Sequence, residues 1–415
     1  MNLALLSLIA LIAAIVVGFY KKINIGILSI GVALVMGRIA GISDKAIIKG
    51  FDASLFMTLL GVTFLFSIIN ENKALLIGAK KIVRLIGKRT WLLPILMYAI
   101  GYAICAAGPG AIPSLALMPA FAIPLAKEMG FDPLMLCLIA DCGVFSGRMN
   151  SITPEGVLIT GILEKQKISG FMLHLNIGMT VTAIILSIII YVYYKGYRVI
   201  ASKNVDKNST VKFSKQQVVS LFGLLAMVIM VMFFKFNPGL AAFLIGIILL
   251  MLGVADERKS IKGIPWGVLL LVTGVGVLMQ ISISLGGIKL LSHALASIMN
   301  KYTAGAIMGV TAGTMSWFVS GLGVVFPTLM PTVGGIAHLV GNGVSINELV
   351  SAIGIAATIT VGPTTTTGSL IMATIMTEGG SKGEENKIFI RLWAWTLVAL
   401  ALVSILAILG VYRIL

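Results

Sequence analysis

Residues 146–156 read SGRMNSITPEG and lie between two apolar runs, PLMLCLIADCGVF (133–145) and VLITGIL (157–163). An arginine, an asparagine, a glutamate, a proline and two glycines interrupt what would otherwise be one long apolar helix. Backbone released from helical hydrogen bonding is tolerated at membrane depth only where protein or a water-filled cavity satisfies it. The stretch is therefore read as a break built into a span at 133–165. That span opens with Asp132 as N-cap and Pro133 at the first helical position.

The rest of the chain agrees with a membrane reading. It is 58% hydrophobic and 11% charged, against roughly 25% charge in a soluble domain, so the fold class is an all-α polytopic membrane protein. Spans are expected at 3–20, 24–42, 55–70 and 171–194, each near the length that crosses hydrocarbon. The first run lacks a basic leader and a small-residue cleavage site, and is read as a retained span. Residues 73–89, KALLIGAKKIVRLIGKR, alternate basic and apolar positions as an interfacial helix does. Cys105, Cys137 and Cys142 sit in apolar runs without metal or redox spacing and read as packing residues. Trp91, Trp266, Trp393 and Trp395 fall near span ends and read as interfacial anchors.

Residues 91–130 form an apolar run interrupted only at AAGPGAIP (106–113), with no charged loop between the arms. This predicts a re-entrant hairpin with its tip near Gly108 to Ile112. The second half repeats the order. KINIG (22–26) is answered by KFNPG (235–239), an offset of 213 residues, and LALMP (115–119) by PTLMP (327–331), an offset of 212. The break at 146–156 is answered by TITVGPTTTTG (358–368), and the first tip by VSGLGVVFP (319–327). DPLM at 132 is matched by SINE at 345, which reads as a capping box. Two repeats of five crossings follow, with hairpins at 91–130 and 303–341 and broken helices at 133–165 and 345–378. An odd number of crossings inverts the second copy.

The net charge of +16 suits orientation rather than nucleic acid. With both termini outside, 21 of the 31 Lys and Arg fall on the cytoplasmic side and nine outside, which selects that topology. Arg148 is left inside the membrane.

Four interruptions paired by a repeat should meet at one site. Restarting helices offer free N–H groups and a positive dipole end to an anion, and loose carbonyls and hydroxyls suit a hard cation such as Na+. The candidate anion contacts are Arg148, Asn150, Ser151, Gly110, Ala111, Ser320, Gly321, Thr364, Thr365 and Thr366. The candidate cation contacts are Gly108, Ser146, Thr153, Glu155, Gly323, Thr360 and Thr367. No cofactor or resident metal is expected, only Na+ as a candidate coupling ion. Arg148 is costly in a span and its planar fork fits a carboxylate. Two partners are open to it: a substrate carboxylate, or an internal one on Asp141 or Glu155. His174 and Asn176 are open to a proton relay or a plain interfacial role.

This layout resembles the ion transporter superfamily and its divalent anion:sodium symporters. The N-terminal LALLSLIALIAAIVVGFYKKINIGILSIGVAL with LFMTLLGVTFLF is similar to the malonate/dicarboxylate carriers of the MatC type. The resemblance implies an elevator carrier, a homodimer whose scaffold (1–89 and 216–302) stays fixed while a transport domain (90–196 and 303–415) slides, the two halves being joined by a linker at 197–215. The tips depart from the symporters, carrying GPGAIP and SGLGVV in place of Ser-Asn-Thr signatures, and Arg148 lies outside their neutral pattern. The function expected is plasma-membrane import of a small dicarboxylate, malonate or a C4 acid, by Na+ or H+ symport. The alternatives are a Na+/H+ antiporter using Asp141 and Glu155, and a membrane subunit of a binding-protein-dependent carrier. No constellation for an intramembrane enzyme is present.

Overall fold

The structure is a computed structural model that describes residues 2–75, 77, 90–108, 110–199, 213–234, 236–341, 343–377 and 382–414. Most of the amphipathic segment 73–89 and of the linker lies outside them. All regular structure among the described residues is helical.

The first half runs α1 (Leu3–Lys21), α2 (Ile25–Ile39), a short α3 (Asp44–Lys49), α4 (Ala53–Glu71), α5 (Leu93–Ala106), α6 (Ala111–Met129), α7 (Pro133–Gly147), α8 (Pro154–Glu164) and α9 (Met172–Tyr193). The second runs α10 (Lys215–Phe234), α11 (Pro238–Met251), a short α12 (Glu257–Lys262), α13 (Trp266–Ser284), α14 (Gly287–Ala296) and α15 (Ala304–Ser316). It continues with α16 (Gly321–Val340), then α17 (Ile346–Ala356), α18 (Thr366–Thr377) and α19 (Lys382–Ile408). Six described helices are long and apolar enough to cross a bilayer alone: α1, α4, α9, α13, α16 and the apolar part of α19. The pairs α7–α8 and α17–α18 are two short helices each, separated by non-helical backbone, as the interrupted sequence requires.

Local chemistry sets the boundaries. Asn24 caps α2 by accepting from the N–H groups of Gly26 and Ile27, and Asn237 caps α11 by accepting from Gly239 and Leu240. Ser43 caps α3 and Asp256 caps α12. Asp132 accepts from Leu134 and Met135 ahead of α7, with Pro133 at its first position. These caps satisfy helix N–H groups that would otherwise be unpaired. The expected capping box at Ser345 does not form. Ser345 makes no side-chain cap bond, and Glu348 is buried and held by Arg413 through its Nε at 3.0 Å and Nη2 at 2.9 Å. A charge-assisted contact to a guanidinium is stronger than a capping bond to a neutral N–H, so the carboxylate turns toward Arg413.

The helices pair across the halves. α2 packs along α13, and α11 packs along α4. One hydrophobic core, with Leu11, Ala33, Met36, Leu278 and Ile288, joins α1, α2, α13 and α14. A much larger one embeds α5 to α9 and α15 to α19. Exposed Leu, Ile, Val and Phe cover the outward faces of α1, α2, α9, α10, α11 and α19, a surface suited to lipid.

Candidate functional site

The two breaks are built alike. In the first, the Thr153 hydroxyl donates to the carbonyls of Arg148 and Asn150 and accepts from Gly156 N–H at 3.2 Å. In the second, Thr365 donates to the Gly362 carbonyl and accepts from Gly368 N–H, also at 3.2 Å. Each closing glycine sits hard against the backbone six residues earlier. A Cβ on Gly156 would come within 1.7 Å of Asn150 O, and one on Gly368 within 2.1 Å of Gly362 O. A side chain at either position would force the break open.

The first hairpin tip rests on the first break. Gly110 has φ of 77°, a left-handed conformation suited to glycine, and a Cβ there would meet the Pro154 ring at 2.8 Å. α6 then starts at Ala111, whose N–H donates to Glu155 Oε1 at 3.2 Å. The same oxygen accepts from Arg148 Nη2 at 2.9 Å. Arg148 is 8% exposed and Glu155 1%, so the ion pair is buried. It is also incomplete: Arg148 Nε and Glu155 Oε2 have no partner among the described residues. Of the two partners the sequence left open within the chain, Glu155 holds Arg148.

Asp141 is fully buried in α7 with Oδ2 3.9 Å from the Cys137 thiol and Oδ1 unpartnered. Asn176 donates to the carbonyls of Ser146 and Met149, bracing the break from α9. His174 is partly buried and its Nδ1 has no described partner.

The remaining candidates divide by what they touch. Asn150 donates to the Gly147 carbonyl and accepts from Ile152 N–H, and Ser146 bonds Tyr98 and the Cys142 carbonyl. Thr364 donates to the Trp317 carbonyl, and Thr360 meets Ser316. Ser320 caps its own tip at Gly323, while Gly321 abuts Ala357 and Gly323 abuts Leu271. Ser151 and Thr366 are exposed and Thr367 is buried. Gly108, with φ of 122°, lies against Phe66 and Ile152.

A cavity of about 20 Å³ brings several of these elements together. Its walls include Gly110 and Ala111 of the first tip, Glu155 of the first break, Leu322 of the second tip, and Thr63 and Leu269 of α4 and α13. The second break does not line it, and joins the assembly through α18, which packs on α6. At this size the cavity is closed to a dicarboxylate.

Above it opens a vestibule of about 960 Å³ between α3, α4, α8, α13, α14 and α16. Leu55, Leu158 and Val272 line the vestibule, and Leu59, Glu155 and Leu269 line the small cavity. On three helices the step is three or four residues, one helical turn. Among the described residues its charged walls are Lys49, Lys165 and Lys289 against one carboxylate, Asp52, which bonds Lys165 at 2.8 Å, and the imidazoles of His293 and His338 also line it. Burial opposes ionisation of Asp52, but its bond to Lys165 and cap bonds to α4 outweigh that and hold its pKa below the usual carboxylate value. Sequence reading missed this lysine lining, because its members lie between residues 49 and 289 and each looks like an ordinary span-end charge.

Residues 1–148 match the family model described as the dicarboxylate carrier protein MatC N-terminus. No curated protein matches the chain. Among solved structures it is similar to the crystal structure of the Alcanivorax borkumensis YdaH transporter, with a TM-score of 0.59 and 11% identity over 88% of this chain and 87% of that one. At that identity the likeness establishes the fold.

Proposed function

We propose that the protein is a secondary active transporter that carries a small dicarboxylate, malonate or a C4 acid, with Na+ or H+ as coupling ion. The carrying observation is the Arg148 guanidinium, buried at a helix break and paired with Glu155, which meets the N-terminus of α6 and lies one turn beneath a vestibule lined by lysines. An arginine fork and a helix N-terminus both favour a carboxylate, and a cationic funnel raises the local concentration of an anion. The match of residues 1–148 to the MatC N-terminus supports the same substrate class.

The movement we propose is an elevator step of 90–196 and 303–415 against 1–89 and 216–302, in a homodimer. The recurrence of caps and breaks at offsets of 213 and 212 residues supports two inverted repeats, with Asn24 answered by Asn237 and Gly156 by Gly368. With both termini outside the plasma membrane, the vestibule faces outward. Uptake of labelled malonate and succinate into proteoliposomes, with and without a sodium or proton gradient, tests the reading. Uptake that disappears in Arg148→Ala supports it, and absence of uptake of either acid by the wild type under every gradient overturns it. Sodium efflux driven by pH without anion uptake would favour the antiporter.

A further inference from the structure

We propose that Glu155 is a tethered stand-in for the substrate's carboxylate, displaced from Arg148 when the dicarboxylate binds and carrying the coupling proton while displaced. The inference rests on the carrier reading above and names its coupling ion.

Glu155 Oε1 sits between Arg148 Nη2 at 2.9 Å and the Ala111 N–H at 3.2 Å. A charged fork and the first N–H of a 19-residue helix are the two donors expected to receive a substrate anion. The protein's own carboxylate already occupies them. Its hold is partial: one Nη–Oε bond is made, while Arg148 Nε and Glu155 Oε2 remain unpartnered although both side chains are at least nine-tenths buried. A guanidinium that uses one arm of its fork has a second arm for an incoming carboxylate. A carboxylate that docks on that arm and then closes the bidentate fork takes both arms, which leaves Glu155 buried without its cation, a state a carboxylate avoids by taking up a proton.

The surroundings offer no other relief. Among the described residues, the groups facing Glu155 that titrate or carry charge are Arg148 and, from α5, the fully buried Cys105 thiol, whose sulfur lies in the field of both charges. α4, α13 and the second tip present Leu59, Thr63, Pro265, Val268, Leu269 and Leu322. The proton comes from a hydronium ion of the outer solution, reached through the vestibule one turn above: its O–H bond breaks and leaves water as an O–H bond forms on Glu155, and no bond of the substrate breaks.

The empty carrier then returns across the membrane with Arg148 and Glu155 closed on each other, where a bare guanidinium would be costly. Glu155 should therefore be needed for the empty return and dispensable for the loaded step. Reconstituted wild-type protein is expected to support both net uptake of labelled malonate or succinate and its exchange against internal unlabelled acid, with a fall in internal pH, read by trapped pyranine, during net uptake only. Glu155→Gln should lower net uptake at least tenfold more than it lowers exchange. Glu155→Asp, which retains the carboxylate, should recover net uptake to within about fivefold.

Net uptake by Glu155→Gln within threefold of wild type overturns the proposal, as does loss of exchange and uptake together in a monodisperse Glu155→Gln protein. If that variant does not fold, wild-type uptake without internal acidification overturns it. Absence of all anion transport by the wild type removes the carrier reading itself, whereas intact exchange with a neutral Glu155→Gln phenotype removes this inference alone.

Discussion

Arg148 Nη2 lies 2.9 Å from Glu155 Oε1, across the break that separates α7 from α8. One contact thus joins the end of one half-helix to the start of the next, and through Ala111 it reaches the tip of the first hairpin. Removing one partner of a buried pair costs about 3–5 kcal/mol, because the other charge stays buried. Arg148→Met should show that loss in thermal unfolding in detergent, and the double substitution Arg148→Met with Glu155→Gln should regain most of it. Equal destabilisation of the single and double variants would mean that the pair is not coupled.

Gly156 and Gly368 should behave as twins. A methyl group at either meets a carbonyl oxygen six residues earlier, and overpacking of this kind costs about 1–3 kcal/mol. Gly156→Ala and Gly368→Ala are each expected to lower the unfolding temperature and reduce transport at least tenfold. Gly31→Ala, whose added Cβ would meet nothing within 4 Å, should change neither.

Lys49 and Lys289 should act on capture and leave turnover alone. Both line the vestibule, which neither Arg148 nor Glu155 lines. Lys49→Gln and Lys289→Gln are each expected to raise KM roughly two- to fivefold at low salt by weakening the field that concentrates anions. Near 1 M salt, where the screening length is about 3 Å, the difference should vanish. A salt-independent effect, or a fall in kcat, would assign these lysines a direct role.

Asp52 and Lys165 bridge α4 and the end of α8 at 2.8 Å, across the proposed boundary between moving and fixed parts. The pair is partly exposed and worth at most about 1 kcal/mol, so Asp52→Asn should change the transport rate only a few-fold. Asp52 has a lowered pKa, so its contribution is present at neutral pH and is lost only as pH falls through that lowered value. A pH dependence of uptake between pH 5 and 8 should therefore persist in Asp52→Asn. Joining Asp52→Cys to Lys165→Cys with a short bis-methanethiosulfonate should stop transport reversibly if the boundary moves, and leave it intact if it does not.

Much of this was legible in the sequence because it is written locally. Asp132–Pro133 announces α7, GPG announces a tip, and the polar residues of 146–156 announce a break whatever surrounds them. Arg148 in an apolar run also demanded a carboxylate, and Glu155 was one of two within reach along the chain. What stayed hidden depends on competition or on distance. Asn150 and Thr365 have side chains free to meet a ligand when read in sequence, yet the freed carbonyls and N–H groups of their own breaks lie closer and take them. Ser345 looks like half of a capping box until Arg413, far along the chain, draws Glu348 away. The vestibule is invisible for the same reason: Lys49, Lys289 and His338 become neighbours only after α3, α14 and α16 have packed.

The crossed pairing of helices has a consequence for how the chain is made. α2 leaves the ribosome with the face that will receive α13 uncovered, and translation must pass Trp266 before that partner begins to exist. α4 waits in the same way for α11. The first half thus emerges with these helix faces open to lipid or to chaperones until the second half is made. A truncation anywhere before α13 should yield a protein that inserts but is cleared by quality control.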